Sequence, residues 1–202
     1  MPKTGLTSEE IKEKALQIAE EKIRAYSFEK FRLTDIAKEL KISQAALYNH
    51  FPDKAALLDA ISERWLAHMD NTLEHIANKE VPPRQLIVEW FLTYHQLKKE
   101  KVLKDPELYK SFNMAAELLK PFIIEHLDNL NRQLLMLVKK AIIAQEIHAK
   151  SPESVVRLLL ESTIAFHHPR MVLDYKDENR EGLLKQVVET MLAGLHDEYR
   201  GG

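Results

Sequence analysis

The stretch from Leu33 to Lys54 constrains the fold of this chain more than any other part of its sequence. It reads as a short helix over 33–40, a tight turn, a second short helix after Ser43, and the start of a further helix near Asp53. Apolar residues recur at helical spacing within it, and serine is a favoured helix N-cap because its hydroxyl accepts a free backbone N–H. This order of elements is the layout of a helix-turn-helix.

Helical periodicity continues along the rest of the chain. Thr7 and Glu10 have the spacing of a capping box, and apolar residues then recur at helical spacing up to Tyr26. Asp105-Pro106 and Ser151-Pro152 each have the form of an N-cap followed by proline at the first helical position, where the missing N–H needs no partner. These signals predict an all-α protein of about nine helices. The predicted helices begin near Thr7, Leu33, Ser43, Asp53, Pro83, Pro106, Pro121, Pro152 and Asn179, and the last three end near 148, 168 and Glu198.

Composition excludes several classes of function. Five glycines, of which only Gly182 and Gly194 are internal, leave no place for a glycine-rich phosphate loop. The absence of cysteine excludes thiol catalysis, disulfides and thiolate zinc sites. No apolar run approaches the roughly 18 residues of a membrane span. Because Met1 to Gly5 lead directly into a charged helix, we expect no signal peptide, a cytoplasmic protein and no membrane partner.

Charge alone does not point to nucleic acid. The net charge is −2, and residues 1–54 carry nearly equal numbers of basic and acidic side chains. Any assignment to DNA therefore depends on the helix-turn-helix.

The second short helix carries side chains suited to reading DNA. Gln44 and Asn49 match adenine edges in the major groove, and the hydroxyl of Tyr48 suits a phosphate contact. Small Ala45 permits a close approach, and His50 adds another hydrogen-bonding group. This pattern predicts a recognition helix.

Lys54 stands directly after Asp53, the predicted N-cap of the next helix. A cation there opposes the helix dipole at a cost of about 0.3–1 kcal/mol. A phosphate held by Lys54 and the helix amides would offset that cost. The alternative is a solvated lysine neutralised by Asp53.

The order of residue types across this stretch is specific. It runs Ile-Ala, a turn, an apolar residue with Ser, then Leu-Tyr-X-His-Phe-X-X-Lys. The residues that carry it are Ile36-Ala37, Ile42-Ser43 and Leu47-Tyr48-Asn49-His50-Phe51-Pro52-Asp53-Lys54.

This pattern resembles the TetR family of transcriptional regulators over residues of about 8 to 58. The resemblance implies a helix-turn-helix DNA-binding domain over 1–53 and a helical effector-binding and dimerisation domain over 54–202. It also implies a dimer on a palindromic double-stranded DNA operator, usually as a repressor, released by a small and largely apolar effector. It implies no cofactor and no catalytic residue.

Four residues depart from the family pattern. Ser27 and Lys41 stand where glycine is usual at the end of the first helix and in the turn, and Ala45 replaces another frequent glycine. Arg32 stands where serine or threonine usually caps the second helix. Arg32 and Lys41 can add phosphate contacts, although pure surface charge is the alternative. The predicted DNA-contacting residues are Arg32, Thr34, Lys41, Ser43, Gln44, Ala45, Tyr48, Asn49, His50 and Lys54.

The resemblance also implies a dimer interface in the C-terminal region. Apolar stripes on the helices predicted over 152–168 and 179–198 can form a four-helix interface with their symmetry mates. The alternative is that these stripes pack only within one subunit. The predicted interface residues are Leu158, Leu159, Ser162, Phe166, Leu184, Val187, Val188, Met191 and Leu195.

An effector pocket is expected from aromatic, methionine and polar side chains in the same region. Such a mixture suits a mostly apolar small molecule, although each of these residues can instead belong to the core. The predicted lining residues are Trp90, Phe91, Tyr94, His95, Phe112, Asn113, Met114, Phe122, His126 and Phe166.

Three other functions stay open at this stage. His167-His168 suggests a metal site, but adjacent helical residues point apart, so no metal is expected. An enzyme on a helical scaffold would use residues such as His95 or His126, although no catalytic constellation is visible. A helical adaptor with a degenerate helix-turn-helix is compatible with the near-neutral charge.

Overall fold

The computed structural model describes residues 5–27 and 29–197, and within these ranges every regular element is an α-helix. The predicted all-α fold is confirmed. The expectations about Met1 to Thr4 and the helix end at Glu198 lie outside the described residues. The helices are α1 (Ser8–Tyr26), α2 (Leu33–Glu39), α3 (Gln44–Tyr48), α4 (Lys54–Ala77), α5 (Pro83–Lys104), α6 (Pro106–Glu117), α7 (Pro121–Ile143), α8 (Pro152–Ser162), α9 (Ile164–His167), α10 (Pro169–Asp174) and α11 (Glu181–Asp197).

The described residues contain eleven helices where about nine were predicted, and both additions lie near Thr163. The helix predicted over 152–168 is divided into α8 and α9, and α10 follows unpredicted at Pro169. Thr163 is fully buried, and its hydroxyl donates to the Leu159 carbonyl at 2.7 Å. A threonine that bonds back to its own helix bends that helix, which accounts for the break.

Helix α7 ends one turn earlier than its predicted end near 148. Gln145 takes a left-handed conformation with φ 59°, and its amide donates to the Ile142 carbonyl at 3.0 Å. The amide of Glu146 donates to the Ala141 carbonyl at 2.9 Å. These two hydrogen bonds form a Schellman motif, in which the left-handed residue is usually glycine. The helix end was predicted too late because the glutamine at this position does not mark a helix end.

Of the caps predicted at Thr7, Asp105 and Ser151, those at Thr7 and Ser151 form through their side chains and that at Asp105 does not. The Thr7 hydroxyl accepts from the Glu10 amide at 3.2 Å, the Glu10 carboxylate accepts from the Thr7 amide at 2.7 Å, and Ser151 caps α8. Asp105 stands at the N-cap of α6 but makes no capping hydrogen bond with the described residues. Its buried carboxylate instead accepts both Nε and Nη2 of Arg24 on α1. The predicted position of Asp105 before Pro106 is therefore confirmed, but its side chain does not cap the helix, because a bidentate ion pair occupies both of its oxygens.

The described residues fall into two compact units. The first comprises the residues up to Trp65 together with Asp105–Leu119, and the second comprises Leu66–Lys104 with the residues from Lys120 onward. This grouping joins the first turns of α4 and the whole of α6 to the helix-turn-helix. The predicted division between 53 and 54 stays a prediction.

Each unit has its own core. In the first, α1 and α2 bury residues such as Ile23 and Ile36, and Trp65 contacts Phe112 edge-on with ring centroids 4.8 Å apart. In the second, α5 is contacted by α7, α9, α10 and α11, so that it is buried on several sides. Among the described helices, none has the length and apolar content that a membrane crossing requires.

Candidate functional site

The turn between α2 and α3 is a Schellman ending built on Lys41. Lys41 has φ 54°, so it holds the left-handed conformation predicted for this non-glycine residue. Its amide donates to the Lys38 carbonyl at 3.1 Å, and the Ile42 amide donates to the Ala37 carbonyl at 3.0 Å. The exposed Lys41 side chain is thereby held at the edge of the helix-turn-helix by its backbone.

Helix α3 is anchored on one side and exposed on the other. The Ser43 hydroxyl accepts from the Ala46 amide at 3.1 Å, which confirms the predicted cap. Leu47 is fully buried in the core of the first unit, whereas Tyr48 is 43 % exposed. Gln44 and the neighbouring residues on the outer side are exposed as well. The geometry is that of a short rigid helix with a free polar face.

The ten residues predicted to contact DNA all belong to the first compact unit. Three of them, Thr34, His50 and Lys54, are half-buried. The exposed ones are Arg32, Lys41, Ser43, Gln44, Ala45, Tyr48 and Asn49.

Lys54 is the first residue of α4, as predicted. The Asp53 carboxylate caps this helix by accepting from the Ala56 amide at 2.7 Å. The Lys54 ammonium lies 5.4 Å from the centre of the Phe31 ring, and burial lowers the pKa of Lys54 while the nearby Glu29 carboxylate opposes that change. A partly desolvated cation at a helix N-terminus is suited to hold a phosphate.

The residues predicted for an effector pocket divide between the two units. Phe112, Asn113 and Met114 lie on α6 in the first unit, and Met114 is 64 % exposed. The other seven lie together in the second unit. Of these, Phe122 is half-buried and the buried ones are Trp90, Phe91, Tyr94, His95, His126 and Phe166.

The short helix α9 is held by three side chains that donate to its consecutive carbonyls. Helix α9 ends just before Pro169, so these carbonyls cannot all be satisfied within the helix. The Arg180 guanidinium donates to the Ala165 carbonyl at 3.0 Å, and His95 Nδ1 donates to the Phe166 carbonyl at 2.7 Å. The Lys98 ammonium donates to the His167 carbonyl at 2.7 Å.

A buried hydrogen-bonded network orients His126. Its Nδ1 donates to the Asp70 carboxylate at 2.5 Å, and the Asn129 amide donates to the other carboxylate oxygen at 2.9 Å. Gln133 donates to the Asp70 backbone carbonyl at 3.0 Å and accepts from the Trp90 indole at 3.0 Å. The ring of His126 therefore has a defined tautomer and position.

Burial shifts the ionisation of this region. Desolvation lowers the pKa of His95 and of His126 below the ordinary value, and lowers that of His167 to about 3. Desolvation also lowers the pKa of Lys98 to about 7. These histidines are therefore neutral near pH 7, and the ammonium group of Lys98 is the positive charge that this cluster can carry.

Beside this cluster lies an apolar cleft of about 400 Å³. Tyr94 and His167 form part of its lining, with their rings stacked at 5.4 Å between centroids. The rest of the lining comes from α7, α8 and α9 and consists of Leu127, Leu130, Leu160 and Ile164 with the polar residues Asn131 and Glu161. Of the predicted pocket residues, Tyr94 is the one that lines this cleft.

Asp70, Lys98 and His167 belong to this polar cluster but are not among the predicted site residues. Lys98 lies four residues after Tyr94 and four before Val102, on the buried face of α5. The position of Lys98 on an apolar helical stripe could therefore have predicted that this lysine is buried. Asp70 gave no such signal, and His167 was considered only as a metal ligand. Among the described residues, no group of three or more His, Asp or Glu side chains is placed to hold a metal ion.

The predicted interface residues differ in exposure. Leu158 and Ser162 on α8 are exposed, and so is Leu183 on α11, which is 51 % exposed and was not among the predicted residues. The half-buried residues are Val187, Met191 and Leu195, and those buried within the protomer are Leu159, Phe166, Leu184 and Val188.

Two protein-family profiles match the chain. Residues 16–61 match the profile described as bacterial regulatory proteins, tetR family. Residues 82–188, more than half of the chain, match the profile described as tetracyclin repressor-like, C-terminal domain. A comparison with curated protein sequences finds no match.

Solved structures share the fold at low sequence identity. A transcriptional regulator of the TetR/AcrR family from Thermobifida fusca YX-ER1 is 19 % identical, with a TM-score of 0.64 over 94 % of this chain and 98 % of that one. The complex of SmeT with triclosan is 18 % identical, with a TM-score of 0.61 over 93 % of each chain. RolR with its ligand resorcinol is 15 % identical, with a TM-score of 0.58 over 95 % of this chain and 90 % of that one.

Proposed function

This chain belongs to the TetR family of bacterial regulatory proteins, and we propose that it is a homodimeric repressor that leaves a palindromic operator when a small, largely apolar effector binds. Family membership makes it a DNA-binding, ligand-responsive transcription regulator and not an enzyme. The observation that carries the proposal is the exposed face of α3, held rigidly by the Ser43 cap and the buried Leu47.

In the proposed complex, α3 enters the major groove. Gln44 and Asn49 hydrogen-bond base edges, and the Tyr48 hydroxyl contacts the phosphate backbone. Lys41 and Lys54 supply cations at the turn and at the start of α4. Base contacts select the operator, whereas the lysines and Tyr48 set the strength and salt dependence of binding.

The proposed dimer joins α8 and α11 of two copies. Leu158 and Ser162 on α8, with Leu183, Val187 and Met191 on α11, present apolar or small side chains that are not fully buried in the protomer. A two-fold axis would pair these stripes as a four-helix interface. Such a dimer holds two recognition helices about one DNA turn or more apart.

The proposed effector occupies the cleft in the second unit. SmeT and RolR, which share the fold, are known as complexes with triclosan and resorcinol. An effector releases DNA only if it binds more tightly to a conformer that does not fit the operator.

Fluorescence anisotropy with DNA from the region flanking the gene tests the DNA-binding part of the proposal. We expect the purified protein to prefer this DNA over a scrambled duplex, with an affinity that falls steeply with salt. Tyr48→Ala and Lys54→Ala should each weaken binding about tenfold, because each removes a phosphate contact. Lys150→Ala, which changes an exposed lysine of the second unit, is the matched control.

A protein without a salt-sensitive preference for its flanking DNA would contradict this function. Wild-type affinity in both the Tyr48 and the Lys54 variants would contradict the assigned DNA-contacting face.

Analytical ultracentrifugation tests the dimer. Leu183→Glu places a charge in the proposed interface and should convert a dimer into a folded monomer, because an interfacial charge without a partner is strongly disfavoured. Lys185→Glu on the same helix, an exposed residue outside the stripe, should remain dimeric. A wild-type protein that sediments as a monomer would overturn the proposal.

A further inference from the structure

Two adjacent clefts of the second unit form one groove between α7 and α8. The first is the cleft of about 400 Å³ described above, and the second has a volume of about 500 Å³. Asn131, Leu160 and Glu161 line both clefts, so the two meet at these three residues. Both volumes are in the range of small-molecule sites. A ligand in the first cleft can therefore extend into the second.

The groove follows one face of each helix. On α7 the lining residues Leu127, Asn131 and Leu135 recur at intervals of four, which places them on the same face. The facing residues recur with helical spacing from Val156 on α8 to Ile164 at the start of α9. From Leu127 to Leu135 the axis of α7 rises about 12 Å. The groove therefore suits an elongated molecule.

The two ends of the groove differ in chemistry. Tyr94 and His167 line the first cleft with stacked rings, and Nε2 of His167 donates to the Leu160 carbonyl at 3.1 Å, which fixes the imidazole in place. The lining of the second cleft contains no aromatic residue, and its apolar side chains are those of Leu135, Val156 and Leu160. An aromatic ring matches the first end, whereas an aliphatic chain matches the second.

The side chains of the groove expose apolar surface. Leu127 and Ile164 line the first cleft and remain 42 % and 45 % exposed. Removal of such surface from water is favourable. A largely apolar ligand therefore gains affinity by covering these two side chains.

The junction of the two clefts is polar. The Asn131 amide donates one N–H to the Leu127 carbonyl at 3.0 Å and has a second N–H. The Glu161 carboxylate accepts from Arg157 through one oxygen at 2.7 Å and has a second oxygen. Both residues are exposed, so a ligand can reach them. A secondary amide, which has one donor and one acceptor, matches this pair of groups.

The charges of the groove are balanced. Each arginine and glutamate of the two linings has an oppositely charged partner, in the pairs Arg157–Glu161, Arg132–Glu74 and Lys139–Glu153 with N–O distances of 2.7, 3.0 and 3.9 Å. Desolvation holds the pKa of His167 at about 3, so this imidazole adds no charge near pH 7. An uncharged ligand leaves these pairs intact, whereas a charged one has to replace a partner.

We propose, on the basis of the ligand-responsive function above, that the effector is an uncharged secondary amide with an aromatic ring on one side and an aliphatic chain on the other. Its ring lies against Tyr94 and His167, and its chain lies along Leu135 and Val156. Its amide group donates to Glu161 and accepts from Asn131.

Isothermal titration calorimetry on the purified full chain tests this ligand class. The probes are acetanilide, N-phenylhexanamide and phenyl hexanoate. We expect N-phenylhexanamide to bind at least tenfold more tightly than acetanilide, because its four additional methylenes enter the second cleft. We expect it to bind at least threefold more tightly than phenyl hexanoate, because an ester oxygen cannot donate to Glu161.

Leu135→Trp fills the second cleft with a larger side chain. It should leave the affinity for acetanilide unchanged and reduce the gain from the longer chain to less than about threefold. Leu103→Trp changes a 54 % exposed leucine of α5 outside both linings, and it should keep the full gain. Thermal unfolding shows whether each variant is folded, and the comparison of probes on the wild type does not depend on either variant.

Glu161→Ala removes the proposed acceptor at the junction. It should bind N-phenylhexanamide and phenyl hexanoate with about equal affinity, because neither can then donate to this position. Glu125→Ala changes an exposed glutamate of α7 outside both linings, and it should keep the preference for the amide.

Three results would overturn the proposal: no binding of N-phenylhexanamide, no gain in affinity over acetanilide, or an ester that binds as tightly as the amide. An undiminished gain in folded Leu135→Trp would overturn it as well. DNA binding measured without any probe reports the proposed function separately. A protein that binds its operator but shows none of these preferences contradicts only the ligand class, whereas one that binds N-phenylhexanamide but no DNA contradicts the regulator function.

Discussion

Individual residues in left-handed conformations end several helices of this protein. Ser27, Lys41, Leu119 and Gln145 have positive φ between 47° and 69°. The left-handed conformation costs a non-glycine residue about 1–2 kcal/mol, and glycine avoids that cost. At Lys41 the cost accompanies an exposed cation beside α3. If this cation contacts DNA as proposed, stability and DNA affinity oppose each other at this residue.

Replacing Lys41 with glycine separates these two effects. We expect Lys41→Gly to raise the free energy of unfolding by about 1 kcal/mol, because the left-handed strain disappears. The same variant should bind operator DNA less tightly and with a shallower salt dependence. Urea unfolding and anisotropy measure the two quantities.

Lys38→Gly is the control, because Lys38 is an exposed lysine with helical backbone in α2, the helix that ends just before Lys41. It should lower the free energy of unfolding by about 1 kcal/mol. A Lys41→Gly protein that is less stable than the wild type would contradict the strain argument.

Helix α9 depends on its surroundings more than any long helix does. Four residues are too few to form a stable helix alone, because the free energy needed to nucleate a helix exceeds what the hydrogen bonds of one turn contribute. Donors from α5 and from Arg180 satisfy its consecutive carbonyls. Arg180 also covers the Phe166 ring, with its guanidinium carbon 4.5 Å from the ring centre. The element exists because these side chains hold its C-terminal end.

Arg180→Met tests this dependence. Methionine retains much of the apolar volume but cannot donate to the Ala165 carbonyl, so the free energy of unfolding should fall by about 2 kcal/mol. Arg170→Met removes an exposed arginine that pairs with Asp174, and should change stability by less than about 0.5 kcal/mol. Equal effects in the two variants, measured by urea unfolding, would refute the assigned role of Arg180.

At the level of the whole molecule, the desolvated imidazole of His167 is expected to make stability depend on pH. Desolvation holds the pKa of His167 at about 3, whereas the unfolded chain titrates near its ordinary value of 6.5. Between these values the unfolded state binds more protons than the folded state. The stability contributed by neutral His167 is therefore fully present above pH 6.5 and is lost as the pH falls.

His167→Gln isolates this contribution. The glutamine amide can replace the Nε2 donor to the Leu160 carbonyl, but it does not titrate. From pH 6 to pH 5 the wild type should lose about 1 kcal/mol more stability than the variant, within the limit of 1.36 kcal/mol per proton and pH unit. Urea unfolding at both pH values measures the difference. The exposed His75→Gln variant should follow the wild type, and an identical slope in His167→Gln would disprove the assignment.

Much of the fold was accessible from the sequence because its signals are local. Helix starts at Thr7, Ser43 and Ser151 follow from hydroxyls that reach amides three residues away. The recognition helix follows in the same way from the residues between Ser43 and Lys54. The predicted contacts of these residues with DNA remain predictions.

The sequence alone determined the helical class, most helix starts and the helix-turn-helix, because caps and apolar periodicity act within a turn or two of chain. Only the tertiary structure decided the helix break at Thr163, the end of α7 at Gln145, and the pairing of the Asp105 carboxylate with Arg24 instead of with the amides of α6. It alone also brought Lys98 close enough to His126 for its charge to lower the pKa of that histidine. Burial and hydrogen-bond partners depend on which distant helices pack together, and no pattern within a single helix specifies that choice.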